Sequence, residues 1–258
     1  MPGTVVLLHG FGNTRRGWDL VTRRIDRERY RPLALDLRGH GAATAQRPIS
    51  FAACVADVAA QAPERFALCG YSLGGRVALH VALAHPERVT RLVLVAATAG
   101  IEEPVQRAER RAADEALAAF AERSTIAAFA DRWLAQPMFA ADPPAAVAFA
   151  RADLLRNDPA ALAAVLRRLG TGAMEPLWGR LGELGMPVTV VAGERDGKFV
   201  ALGERLAAAL PDGELVVVPG AGHGLPREAP QAVAEAIARP RAPAWSERRS
   251  GRPRPPAR

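Results

Sequence analysis

The stretch Phe66-Ala67-Leu68-Cys69-Gly70-Tyr71-Ser72-Leu73-Gly74-Gly75-Arg76 decides how the chain is read. An apolar run of strand type passes into G-x-S-x-G, and a helical pattern follows at once. A serine on so sharp a strand-to-helix turn stands exposed at the carboxyl edge of a sheet. The turn admits only small neighbours, which Gly70 and Gly74 supply. The N-terminus of the following helix favours negative charge near the hydroxyl. Chance produces G-x-S-x-G readily in a chain with 23 glycines, so the strand-helix context is what marks Ser72 as catalytic.

Outward from this point, short apolar runs alternate with helical patterns. Strands are expected at 4–8, 32–37, 66–70, 92–95, 188–191 and 214–218, and helices at 18–25, 51–61, 75–84, 200–210 and 229–238. Near-continuous apolar strands belong to a parallel sheet buried on both faces. The alternation therefore predicts an α/β fold, a mostly parallel open sheet flanked by helices. Between 95 and 188 the rhythm breaks. Ala, Arg, Leu and Glu dominate there, interrupted by Pro104, Pro137, Pro143-Pro144, Pro159 and Gly170. Several short helices are expected, forming a lid over 99–185 inserted into a core of 1–98 and 186–238. The lid would follow a strand's carboxyl end, the edge where open α/β sheets bind ligands.

A serine hydroxyl needs a base. His223 stands in the glycine-rich stretch Pro219-Gly220-Ala221-Gly222-His223-Gly224, just after the last expected strand. His9 reads as a structural loop histidine, and His80 and His85 as structural residues on or just past the helix after Ser72. His40, in a loop after a strand, is a weaker candidate for lining the site. The base needs an acid to fix its tautomer. Asp196, deep in the loop after the 188–191 strand, is favoured, and Glu194 is the alternative. The chain order Ser72, Asp196, His223 is that of nucleophile-elbow triads. Backbone N–H groups of Phe11 and Leu73 would converge beside Ser72 as an oxyanion hole.

Composition narrows the functional classes. With 49% hydrophobic and 24% charged residues, the chain is expected to form a globular domain. No apolar run reaches the roughly 20 residues that cross a bilayer, and no secretory signal is read, so membrane insertion is not expected and a cytoplasmic location is. Two cysteines, Cys54 and Cys69, exclude a disulfide scaffold and a multi-cysteine metal cluster. Cys69 is expected to be buried and inert. Six of the seven net positive charges fall in 239–258, a Pro- and Arg-rich stretch expected to be a disordered basic tail. With 33 arginines against Lys198 alone, basic composition by itself says little about function, and no nucleic-acid partner is expected. No metal site, phosphate loop or dinucleotide fingerprint is read, so no cofactor is expected. Oligomeric state is not legible.

Over residues 3–238 the chain resembles the α/β-hydrolase superfamily, with no antiparallel hairpin expected ahead of Thr4. Within it, the chain is similar to the 2-succinyl-6-hydroxy-2,4-cyclohexadiene-1-carboxylate synthases, lyases of menaquinone (vitamin K2) biosynthesis. Four segments carry this: the elbow through Arg76; Arg107-Ala108-Glu109-Arg110-Arg111-Ala112-Ala113-Asp114; Trp133-Leu134-Ala135-Gln136-Pro137-Met138-Phe139; and Gly170-Thr171-Gly172…Pro176-Leu177-Trp178 ahead of Gly193-Glu194-Arg195-Asp196-Gly197-Lys198-Phe199.

The resemblance implies elimination of pyruvate from a small tricarboxylate, with the Ser-His-Asp triad acting as base. It implies substrate contacts by Tyr71, Arg76, Arg110 and Trp133. Arginine suits carboxylates because it stays charged and binds them bidentately. The family pattern has a further arginine in the second lid helix. Here that position falls on Leu154, and Arg151 or Arg156 is expected to substitute, Arg151 first. A serine hydrolase of a small ester, a lactone or a diketone C–C bond has the same triad and fold and is the alternative reading. A non-catalytic binding protein is disfavoured by the intact triad.

Overall fold

The computed structural model describes residues 2–140 and 142–239. The expected tail lies outside the described residues, apart from Arg239. Six strands form one sheet: β1 (Gly3–Leu8), β2 (Tyr30–Leu35), β3 (Phe66–Tyr71), β4 (Val89–Val95), β5 (Val188–Gly193) and β6 (Gly213–Val218). All are parallel, in the order β2-β1-β3-β4-β5-β6. The α-helices are α1 (Asp19–Thr22), α2 (Phe51–Gln61), α3 (Leu73–Ala84), α4 (Pro104–Glu122), α5 (Ile126–Leu134), α6 (Pro144–Leu154), α7 (Pro159–Leu169), α8 (Gly197–Ala209), α9 (Leu225–Glu228) and α10 (Pro230–Ala238).

Side chains alternate across a strand, so each apolar run feeds two cores. Val6, Leu8, Leu68 and Leu92 pack with residues of α2, α3 and α8 on one face. Val5, Leu7, Cys69 and Val93 pack with residues of α1 and α10 on the other. Each such aliphatic side chain contributes roughly 1.5–3 kcal/mol on burial.

Each strand differs from the sequence reading at one end or both, mostly by one or two residues, and two of the differences have a clear cause. The second strand ends at Leu35 instead of residue 37, because Asp36 and Leu37 leave the ladder for other partners. Asp36 accepts from Arg15 N (2.6 Å) and Ala42 N (3.0 Å), and Leu37 N donates to His9 Nε2 (3.0 Å). The fourth strand begins at Val89 instead of residue 92. Its early part is masked by Arg91, a buried arginine that donates to Thr189 Oγ1 (2.7 Å) and Ala236 O (3.2 Å).

Four helices, α4 to α7, lie between β4 and β5. Most of the prolines that read as breakers begin elements here: Pro104, Pro144 and Pro159 open α4, α6 and α7. Proline lacks an N–H that the first turn would leave unpaired anyway. These helices share a small core that includes Ala118, Phe129, Leu154 and Leu162.

The inserted helices are tied to the sheet by buried hydrogen bonds. Asp153 accepts from Thr14 N (2.8 Å) and Thr14 Oγ1 (2.6 Å). Asn157 donates to Gly12 O (2.9 Å) and accepts from Gly41 N (3.0 Å). Among the described residues, no helix is long and apolar enough to cross a membrane.

Candidate active site

The strand order reverses direction between β1 and β3. The chains leaving these neighbouring strands diverge there and open a crevice at their carboxyl ends. The loop after β1 brings Gly10 and Phe11 to this crevice, and the turn after β3 brings Ser72.

Ser72 precedes α3 with φ 50° and ψ −109°. A non-glycine residue in that region costs about 1–3 kcal/mol and persists only when its surroundings impose it. Here Ser72 N donates to Val95 O (2.9 Å), and Arg76 N donates to Ser72 O (3.1 Å). The flanking glycines are required by close backbone approach. A Cβ on Gly70 would lie 2.3 Å from Gly74 O, and one on Gly74 would lie 2.0 Å from Leu8 O.

His223 follows β6 and is buried among the rings of Phe199 (4.6 Å), Tyr71 (5.6 Å) and Phe139 (6.0 Å). Its Nδ1 lies 2.7 Å from Asp196 Oδ2, and its Nε2 lies 3.4 Å from Ser72 Oγ. A carboxylate only accepts, so Nδ1 carries the proton and Nε2 offers its lone pair to the serine hydroxyl. Asp196 is also the N-cap of α8, accepting from Phe199 N at 3.4 Å. Glu194 points elsewhere and accepts from Gly220 N (2.8 Å). Ser72, His223 and Asp196 are thus in one line, and the alternative acid is not in it.

Leu73 is the first residue of α3, so its N–H is one of the helix's unpaired donors. Phe11 lies on the loop after β1, which two buried histidines hold in place. His9 Nε2 accepts from Leu37 N while Nδ1 donates to Gly10 O (2.8 Å). His40 Nε2 accepts from Gly12 N at 3.2 Å. Burial pushes both imidazoles below their ordinary pKa, His40 further because His9 stands beside it.

Over Ser72 lies a cavity of about 380 Å³. Small-molecule sites occupy about 300–1,000 Å³. The inserted helices supply part of its wall through Arg110, Trp133 and Leu154. The Phe11 ring packs on Trp133 at 4.5 Å, so it forms part of the wall as well. Tyr71 lines it too, its hydroxyl pushed up to about 12 by burial.

The cavity is strongly cationic, lined by Arg76, Arg110, Arg195, Lys198 and Arg227. Arg76 is buried and donates through Nη1 to Leu169 O. Burial first, and then the nearby Arg110 charge, lowers its pKa to about 9. Arg110 Nε donates to Asp114 Oδ1 (2.9 Å) while remaining partly open to the cavity.

The Alpha/beta hydrolase family profile matches residues 5–236. The chain belongs to this family. Among alpha/beta hydrolases, it is 32% identical to the 2-succinyl-6-hydroxy-2,4-cyclohexadiene-1-carboxylate synthase of Salmonella agona (strain SL483), over 92% of this chain and 95% of that one. A Bacillus subtilis (strain 168) protein that bears the same name provisionally is 34% identical over 88% of this chain and 86% of its own. The solved structure of MenH from S. aureus superimposes with a TM-score of 0.85 at 29% identity, covering 92% of each chain.

In this alpha/beta hydrolase, one expected binding residue is misplaced. Arg151 does not line the cavity; its Nε donates to Asp131 Oδ1 at 2.8 Å on the outer surface. Ala150 and Leu154, four residues apart, take the cavity-facing stripe of α6, and Arg151 lies about 100° round the helix from Ala150. Arg156 also misses the cavity and pairs with Asp153 at 3.8 Å. His40 is fully buried behind the Phe11 loop, so it supports the site without lining it. Cys69 is buried in the sheet, with desolvation pushing its thiol pKa up.

The sequence reading missed the cations Arg195, Lys198 and Arg227. Lys198, the one lysine of the chain, lies two residues after Asp196. Arg227 comes four residues after His223. Proximity to Asp196 and His223 was the available signal.

Proposed function

We propose that the chain is a cytoplasmic lyase of menaquinone biosynthesis. It eliminates pyruvate from 2-succinyl-5-enolpyruvyl-6-hydroxy-3-cyclohexene-1-carboxylate to give 2-succinyl-6-hydroxy-2,4-cyclohexadiene-1-carboxylate. The names of the relatives support the reaction. The observation that carries the reading is the buried Arg76, whose side-chain partner is the Leu169 carbonyl, in one cavity with Arg110 and Ser72. A buried charge is costly unless paired, and a substrate carboxylate would supply the missing anion. A neutral ester would not.

In this reading Ser72 Oγ takes the ring proton beside the succinyl ketone as its own proton passes to His223 Nε2. Asp196 stabilises the imidazolium. The N–H groups of Phe11 and Leu73 receive the charge that develops on the ketone oxygen. Electrons move through the ring double bond and the C–O bond to the enolpyruvyl group breaks. The departing enolate takes the proton from His223 and becomes pyruvate. Tyr71 and Trp133 wall the ring, Arg76 and Arg110 hold carboxylates, and the helices from α4 to α7 act as the lid.

The test supplies this substrate and follows pyruvate through a coupled NADH assay. Pyruvate release is expected, and Ser72→Ala should lower its rate about 10³-fold or more. A near-normal rate in Ser72→Ala would exclude the serine as base. No pyruvate, together with brisk p-nitrophenyl acetate turnover and a trapped acyl-Ser72, would make the chain an ester hydrolase instead.

A further inference from the structure

Arg227 has no role in the reading above, yet it is a buried cation on the cavity wall, its side chain 3% exposed. Its contacts are loose. Nη1 reaches Asn13 Oδ1 at 3.5 Å and Nη2 reaches Asp142 Oδ2 at 3.6 Å, and Nε has no acceptor among the described residues.

Asp142, from the segment before α6, is a poor counter-ion for it. Among the described residues, Asp142 Oδ1 and Glu228 Oε1 are both buried without a donor, and the two carboxyls stand within hydrogen-bonding reach of each other. Glu228 already accepts from Gly222 N (2.9 Å) and Arg195 Nη2 (3.0 Å), whereas the ion pair of Asp142 with Arg227 is long, 3.6 Å. The proton that relieves the pair therefore sits on Asp142. Burial, and then the Glu228 charge, raise the Asp142 pKa to about 6. Arg227 is left under-compensated on the side of the cavity that carries His223.

We propose that Arg227 forms a second carboxylate subsite of the cavity, where a ligand carboxylate displaces the long Asp142 contact. The subsite rests on the reading that the ligand is polyanionic, and it requires neither Arg76 nor Arg110. Its occupancy is linked to protons. Below about pH 6 Asp142 is neutral and leaves Arg227 to the ligand; above it, the aspartate competes. The other titratable or charged groups around Asp142 are Glu228 and Arg227 of α9, Arg195 ahead of α8, His223, and Tyr71, which stays protonated.

The experiment measures binding of benzene-1,2,4-tricarboxylate to the full chain by calorimetry between pH 5 and 7.5. Arg227→Gln should weaken binding about 30-fold or more, with Arg227→Lys between it and the wild type. Asp142→Asn, neutral throughout, should bind several-fold tighter than wild type at pH 7.5. It should also lose the part of the pH dependence that Asp142 causes. Structural damage does not tighten binding, so the two variants guard each other. The proposal is overturned if the wild type does not bind the probe, if Arg227→Gln binds as wild type, or if Asp142→Asn binds no tighter. Wild-type pyruvate release separates the two claims. Turnover with an unaffected Arg227→Gln sinks the subsite alone, and Arg227-dependent binding without turnover sinks the lyase reading alone.

Discussion

Asp196 holds His223 with one carboxylate oxygen, 2.7 Å from Nδ1, and caps α8 with the other, 3.4 Å from Phe199 N. The two duties separate by substitution. Asparagine caps helices about as well as aspartate does, but it cannot stabilise an imidazolium by charge. Asp196→Asn should therefore keep a near-native melting temperature while kcat for pyruvate release falls about 10³- to 10⁴-fold. An equal loss of stability would mean that the residue acts mainly as a cap.

Substitution at Arg110 tests the lyase reading against the esterase one. Arg110→Gln combined with Asp114→Asn avoids leaving the buried Asp114 charge without its partner. The pair should cost about 2–5 kcal/mol of transition-state binding for the tricarboxylate. That corresponds to about 30- to several-thousand-fold in kcat/KM. Any weak turnover of neutral p-nitrophenyl acetate should barely change. Parallel loss on both substrates would assign Arg110 a structural role.

Acid should weaken the fold through the two buried histidines. Their folded-state pKa values lie below the ordinary 6.5, His40's well below. The unfolded chain therefore binds more protons below about pH 6.5, and stability falls as pH drops through that window. Asp142 and Asp153, whose carboxyl pKa values are raised, act in the opposite sense. His40→Gln keeps an acceptor for Gly12 N and removes one titration. Its unfolding free energy, measured in urea at pH 6.5 and pH 5, should decline less than wild type by up to about 1.4 kcal/mol per pH unit. Identical slopes would show that His40 is not the group responsible.

The elements that define the fold were legible because they repeat one pattern, an apolar run followed by a glycine-rich turn. That pattern marked Ser72, and the order of the later loops marked Asp196 and His223. Legibility failed where the deciding contact is tertiary. Arg91 disguised the start of β4 because its partners, Thr189 and Ala236, are distant in sequence. Arg151 and Leu154 both lie on α6, and which of them meets the cavity depends on how Asp153 and Asn157 rotate that end of the chain onto Thr14 and Gly12. Arg227 was hidden by abundance, one of 33 arginines in a helix of four residues. Asp142 sits between the 3-10 turn at Pro137–Phe139 and α6, where no periodicity points to a carboxylate pair.

The contact between Gly74 and the Leu8 carbonyl has a consequence for redesign. With no room there for even a methyl group, the elbow turn and the end of β1 are wedged together, and the Phe11 loop follows from that end. The Ser72 turn and the Phe11 loop therefore form a chassis that sequence variation can scarcely retune. New substrates must be sought in the removable panels, the side chains of α4, α5 and α6 that roof the cavity. Swapping these would change what enters while the engine beneath stays the same.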